Sequence, residues 1–197
     1  MEIIFSLILF FLAVVIHEFA HGWMAYKLGD STAKRSGRLT LNPLAHIDPI
    51  GTIALPLFLV VTGSPILFGW AKPVPVNFSS LQNPKKDMIW VSLAGPCANI
   101  LLAIIISIFI KIRIILLPLE IMQQFMLLNL VLATFNLIPI PPLDGSRVVL
   151  GLLPSKLAYK YVQLERYGFV IIIVMLYLGV FQLIVWPIVT MLFKMLL

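Results

Sequence analysis

The chain has 197 residues, 61% hydrophobic and 11% charged, with a net charge of +6 at neutral pH. With a mean hydropathy of +1.07, that balance excludes an ordinary soluble domain and indicates a polytopic membrane protein embedded in a lipid bilayer. The positive charge does not indicate a nucleic-acid partner, because the 14 Lys and Arg residues are scattered between apolar segments with no aromatic-basic module.

The first apolar segment, about residues 1–26, is long enough to cross a hydrocarbon core of about 30 Å. It is too long for a signal-peptide core and lacks a basic leader, so it reads as a retained membrane anchor. Within it lies His17-Glu18-Phe19-Ala20-His21. Ionisable groups inside a membrane helix are costly and usually functional. Positions i and i+4 of a helix share one face about 6 Å apart, so both imidazoles can grip one Zn²⁺ while Glu18 reaches a water at the metal.

The next apolar stretch, about 50–68, is interrupted by Pro56, Gly63 and Pro65. These breaks predict a re-entrant or interfacial hairpin around residues 50–80 rather than a straight span. Three further segments, about 88–110, 121–140 and 167–186, have spanning length. The tail after Trp186-Pro187 either extends the last helix past a kink or lies along the interface. The lone Cys97 excludes an intramolecular disulfide and reads as a packed small residue. The expected fold is an all-α bundle of about four to six transmembrane helices. It forms a single domain over 1–197, with a catalytic core at about 1–150 and C-terminal helices at about 160–197.

Charge sets the expected orientation. Lys27, Lys34, Arg35, Arg38, Lys72, Lys85, Lys86, Arg147, Lys156, Lys160 and Arg166 fall on one side if 50–68 does not cross, against Lys111, Arg113 and Lys194 on the other. The richer side is expected to face the cytosol, with the N-terminus outside and the active site near the cytosolic face of the cell membrane.

Catalytic zinc takes three protein ligands and keeps one position open. The extended pattern HExxHxxGxxH fails, because Met24 and Lys27 stand where its Gly and third His would be. Candidates for the third ligand near the inner boundary are His46, Asp48 and Asp144. Asp144 is best placed: it follows an apolar helix in the run Asn136 to Gly145, where three prolines break the helix and Gly145 permits a tight turn. At about 1.5 Å per residue, His17 lies about 24 Å from the outer end of its helix, a depth that the end of the 121–140 helix also reaches.

Together, the HExxH motif, Leu93-Ala94-Gly95-Pro96-Cys97-Ala98-Asn99 and the Asn136–Gly145 run resemble the site-2 protease family of intramembrane zinc metalloproteases. The stretches from Asn42 to Pro49 and from Gly69 to Asn77 are similar to its compact prokaryotic branch without PDZ or CBS modules. The resemblance implies one zinc per chain held by His17, His21 and Asp144, with Glu18 as the catalytic carboxylate and transmembrane proteins or peptides as substrates. It also implies a substrate or transition-state role for Asn136, which otherwise reads as interhelical hydrogen-bond glue. His46 is either a substrate-positioning neighbour or a satisfied loop histidine, and Asn99 either a structural or an outer-shell group. In the 72–78 stretch Pro73 and Pro75 lack donors on one edge whereas Val74 and Val76 present their amides on the other, for an unwound substrate or for a surface hairpin. The competing reading is a membrane zinc-binding or transport protein without proteolytic activity. It would need further intramembrane acids or histidines along a pathway, and the apolar segments offer almost none.

Overall fold

The computed structural model describes residues 2–63, 71–114 and 117–197. Helices α1 (Glu2–Lys27), α4 (Pro84–Lys111) and α5 (Leu119–Asn136) pack against one another and form the centre of the protein. Between α1 and α4 run α2 (Thr32–Arg35), a 3₁₀ turn at Pro43–His46, a π turn at Pro49–Ala54 and α3 (Leu55–Val61). A segment without helix or strand, 71–77, then returns beside α1. After α5 come α6 (Asp144–Leu152), α7 (Ser155–Val162), α8 (Gly168–Tyr177) and α9 (Trp186–Leu196). No strand occurs among the described residues, and the fold is the all-α membrane architecture expected.

By length and composition two helices can cross a membrane, Phe5–Lys27 and Pro84–Lys111, and a third span arises if the bent pair 155–177 and 181–196 counts as one. Helix α5 also has spanning length although it carries Gln123, Gln124, Asn129 and Asn136, and it returns the chain along the bundle so that Asp144 beyond its end meets His17 and His21 of α1. It serves as the polar spine of the bundle, and a helix with that duty cannot be uniformly apolar.

The expected span at 167–186 is broken, though not where proline suggested. Gly179 adopts φ +73° between α8 and the π turn Phe181–Val185, and the chain bends by 72° there. Glycine takes that left-handed conformation without a Cβ penalty, whereas Pro187 stands inside a helical run that continues from Phe181 to Leu196, directly after the π turn, and does not break it. Val185 and Val189 are buried against Ala103, Ile106, Met122, Met126 and Leu130 of α4 and α5. The tail thus packs on the bundle.

At 50–68, Pro56 stands inside the continuous helical run 49–61 without ending it, and the chain turns at Gly63, φ +68°, just past α3. Residues 49–61 are helical and too short to be among the spanning helices; Pro65 lies outside the described residues. Chain leaving this region and chain returning meet where the Lys72 amide donates to the His46 carbonyl at 2.9 Å. Cys97 is exposed on α4 and not packed; the inward face of that turn belongs to Gly95, Pro96 and Asn99, all buried.

Candidate active site

His17 and His21 stand one turn apart on α1, both buried, with ring centroids 4.6 Å apart and planes at 84°. Asp144 opens α6, delivered by the proline-rich turn that ends α5. Its carboxylate does not cap its own helix; it points at the histidines. Asp144 Oδ2 lies 3.0 Å from His17 Nε2 and 3.2 Å from His21 Nε2, and the two Nε2 atoms are 3.0 Å apart. Gly145 departs from expectation: it is helical with no left-handed φ, and a Cβ there would run into the Leu137 and Ile138 carbonyls. Its role is close approach of α6 to the end of α5, which is how Asp144 reaches α1.

The other two ring nitrogens are occupied. His17 Nδ1 donates to Asn99 Oδ1 at 2.6 Å and His21 Nδ1 to the Val91 carbonyl at 2.7 Å. With each Nδ1 protonated, both Nε2 lone pairs face the carboxylate oxygen. Three lone-pair donors at 3.0–3.2 Å repel one another unless a cation sits among them. Tetrahedral zinc with bonds of about 2.0–2.1 Å holds its ligand atoms about 3.3 Å apart, so the set fits zinc closely. Among the described residues, His17, His21 and Asp144 form the one such cluster of potential metal ligands.

Gly95 makes this approach possible. A Cβ at Gly95 would collide with His21 Nε2 and lie 2.7 Å from His17 Nε2, so the backbone of α4 lies directly against the imidazoles. Pro96 beside it has no amide to give the Ser92 carbonyl, which loosens α4 next to the carbonyl that His21 uses.

A cleft of about 320 Å³ opens at the cluster, lined in part by Glu18, Val74, Val76, Asn136 and Arg147. Glu18 Oε2 accepts from the Val74 amide at 2.7 Å, so one of the two expected edge donors is engaged by the protein itself. Val76 lines the cleft, and its amide has no hydrogen-bond partner among the described residues. Asn136, the last residue of α5, gives one amide hydrogen to the Leu132 carbonyl at 2.9 Å, leaving the second for the cleft.

His46 does not join this group. It is fully buried, its Nε2 bonds the Thr40 carbonyl at 2.9 Å, and it is absent from the cleft wall. Its link to the site is its backbone carbonyl, which steadies Lys72. Asp48 is spent capping the Pro49 turn through the Ile50 and Gly51 amides. Asn99 touches His17 directly.

Sequence reasoning gave no site role to Val91, Arg147 or Asn129. Val91 acts through a backbone carbonyl, which leaves no side-chain signal. Arg147 was counted for its charge alone; it lines the cleft, pairs with Glu165 at 2.5 Å and stacks over Phe78 at 5.6 Å. Asn129, buried in α5, accepts from Asn99 at 2.8 Å, and an Asn seven residues before Asn136 on one helix face was the available clue. Asp30, outside the spans, braces the returning segment: burial opposes its ionisation, but hydrogen bonds from Thr32 and the Asn77 amide outweigh that and hold its carboxyl below the usual range.

A helical membrane protein that brings two histidines and a carboxylate together from separate helices, beside a second carboxylate in a cleft, belongs with the membrane metalloenzymes. Comparison with known sequences narrows the class. Residues 5–116 and 116–179 match Peptidase family M50, and the chain belongs to that family, the site-2 proteases. It is 40% identical over 183 residues to "Putative zinc metalloprotease YwhC" of Bacillus subtilis, covering 87% of this chain and 80% of that protein. A second relative, Rip2 of Mycolicibacterium smegmatis, is 27% identical over 84% of this chain and 63% of its own length. Zinc metalloprotease MJ0392 of Methanocaldococcus jannaschii is 30% identical over 77% of this chain, which spans 35% of that longer protein. No solved structure matches the chain significantly. The protein is a zinc metalloprotease.

Proposed function

We propose that this protease hydrolyses peptide bonds within or next to transmembrane segments of membrane proteins, with His17, His21 and Asp144 holding one zinc and Glu18 as general base. The observation that carries the reading is the triangle of ligand atoms at 3.0–3.2 Å with both histidine Nδ1 atoms committed elsewhere. Bound zinc supplies a Lewis acid that brings the pKa of a water towards about 7 and polarises a carbonyl. Glu18 takes the proton of the attacking water and returns it to the leaving amide nitrogen. Its Oε2 is oriented by the Val74 amide, leaving Oε1 for the proton. Asn136 donates its second amide hydrogen to the oxygen that gains negative charge.

A helical substrate hides its scissile carbonyl in an intrahelical hydrogen bond and must unwind to be cut. The non-helical 71–77 segment beside the cleft, with the Val76 amide unpaired among the described residues, suits pairing with such a strand. The Lys and Arg distribution supports a multi-pass protein with this site near the cytosolic face.

The test is to incubate purified protein with single-span membrane peptides, with and without a zinc chelator, beside the Glu18→Gln variant. Cleavage by the wild type, lost on chelation and lost in Glu18→Gln with zinc retained, is expected. Substantial turnover by Glu18→Gln would remove Glu18 as the base.

A further inference from the structure

We propose that Asn129 is a positioning residue that, through Asn99, fixes the tautomer of His17 and thereby the zinc affinity of the site. Neither asparagine lines the cleft, so neither meets substrate. Both are fully buried, and together they join α5, α4 and α1.

The chain of hydrogen bonds has a defined direction. Asn129 Nδ2 donates to the Phe125 carbonyl at 2.8 Å, and because a carbonyl can only accept, the other end of that amide must be oxygen. Asn129 Oδ1 therefore faces Asn99 and accepts from its Nδ2 at 2.8 Å. The same Nδ2 gives its second hydrogen to the Ala13 carbonyl at 3.1 Å. Both hydrogens are used on acceptors, so Asn99 Oδ1 is turned to His17, 2.6 Å from Nδ1. His17 must then carry its proton on Nδ1 and present a bare Nε2 to Asp144 and His21.

Reversing the Asn99 amide would set its oxygen against two acceptors, Ala13 O and Asn129 Oδ1, and its NH₂ against His17 Nδ1. His17 would then need its proton on Nε2, the nitrogen aimed at the metal position. Without Asn129 the Ala13 carbonyl alone holds the amide. Outer partners of metal-bound histidines are generally worth about 10–100-fold in metal affinity. Asn129 stands one residue further out, so the low end, about tenfold, is expected.

The inference rests on the zinc site proposed above, and its test reads affinity. Metal-stripped full-length protein in detergent is titrated with Zn²⁺ against a competing chelator, for the wild type, Asn129→Leu, Asn99→Ala and the double variant. Asn129→Leu should weaken zinc about tenfold in the wild-type background and add nothing in the Asn99→Ala background. Asn129→Asp, whose neutral carboxyl can accept from Asn99 and donate to Phe125, should stay near wild type. If leucine prevents folding, Asn129→Ala provides the same arm. A purely structural Asn129 would lower the melting temperature of the metal-free protein and leave zinc affinity unchanged. That result, or a loss that adds to Asn99→Ala, would overturn the relay. A wild type without zinc would overturn the site itself.

Discussion

The backbone amide of Val74 donates a 2.7 Å hydrogen bond to Glu18 Oε2, joining residues 56 positions apart. Pro73 and Pro75 have no amides, so Val74 is the donor in its stretch that can reach the carboxylate. The segment is held from behind: Arg38 donates to the Lys72 and Pro73 carbonyls at 2.6 and 3.2 Å, and His46 accepts from Lys72. The loop therefore builds one wall of the cleft and orients the Glu18 carboxylate, the proposed general base.

Removing that donor separates aiming from metal binding. Hydrogen bonds to charged groups contribute about 1.5–3 kcal/mol, so Val74→Pro should slow peptide cleavage about 10–100-fold while zinc content stays at the wild-type level. Single-turnover cleavage of a single-span peptide, with elemental analysis of the same sample, checks both halves. An unchanged rate would show that Glu18 is oriented without Val74.

Gly95 gives a prediction of opposite sign for the metal. An added Cβ would occupy the space of His21 Nε2 and come within 2.7 Å of His17 Nε2, and neither the helix backbone nor the paired imidazoles can yield without breaking the Asn99 and Val91 bonds. Gly95→Ala should lose most of its zinc although it favours helix, and activity should fall with it. Retention of zinc would mean that α4 can shift outward.

What could be read from the sequence was chemistry that repeats at helical spacing. His17, Glu18 and His21 announce themselves because ionisable groups are conspicuous in an apolar run, and Asp144 because three prolines precede it. Gly95 stood inside a recognised motif without a reason for being glycine; the reason is a contact between helices. The bend falls at Gly179 rather than at Pro187, since the π turn ahead of Pro187 carries the helix through it while glycine's left-handed φ leaves no periodic trace. The engagement of Val74 by Glu18 and of Val91 by His21 runs through backbone atoms, which every residue has, so side-chain pattern carries no sign of it.

The topology has its own test. The charge bias puts the loops bearing Ser80 and Ser155, both exposed in the fold, on the cytosolic side. Single cysteines at these positions in a Cys97→Ala background should resist an impermeant thiol reagent added outside intact cells and react once the membrane is opened. Labelling of either from outside would reverse the proposed orientation.

In the proposed site a carboxylate far along the chain completes a metal centre begun by two histidines of α1. Elemental analysis of purified wild type and Asp144→Ala tests it most directly. About one zinc per chain in the wild type and a strong reduction in the variant are predicted; full zinc retention by Asp144→Ala would contradict the claim.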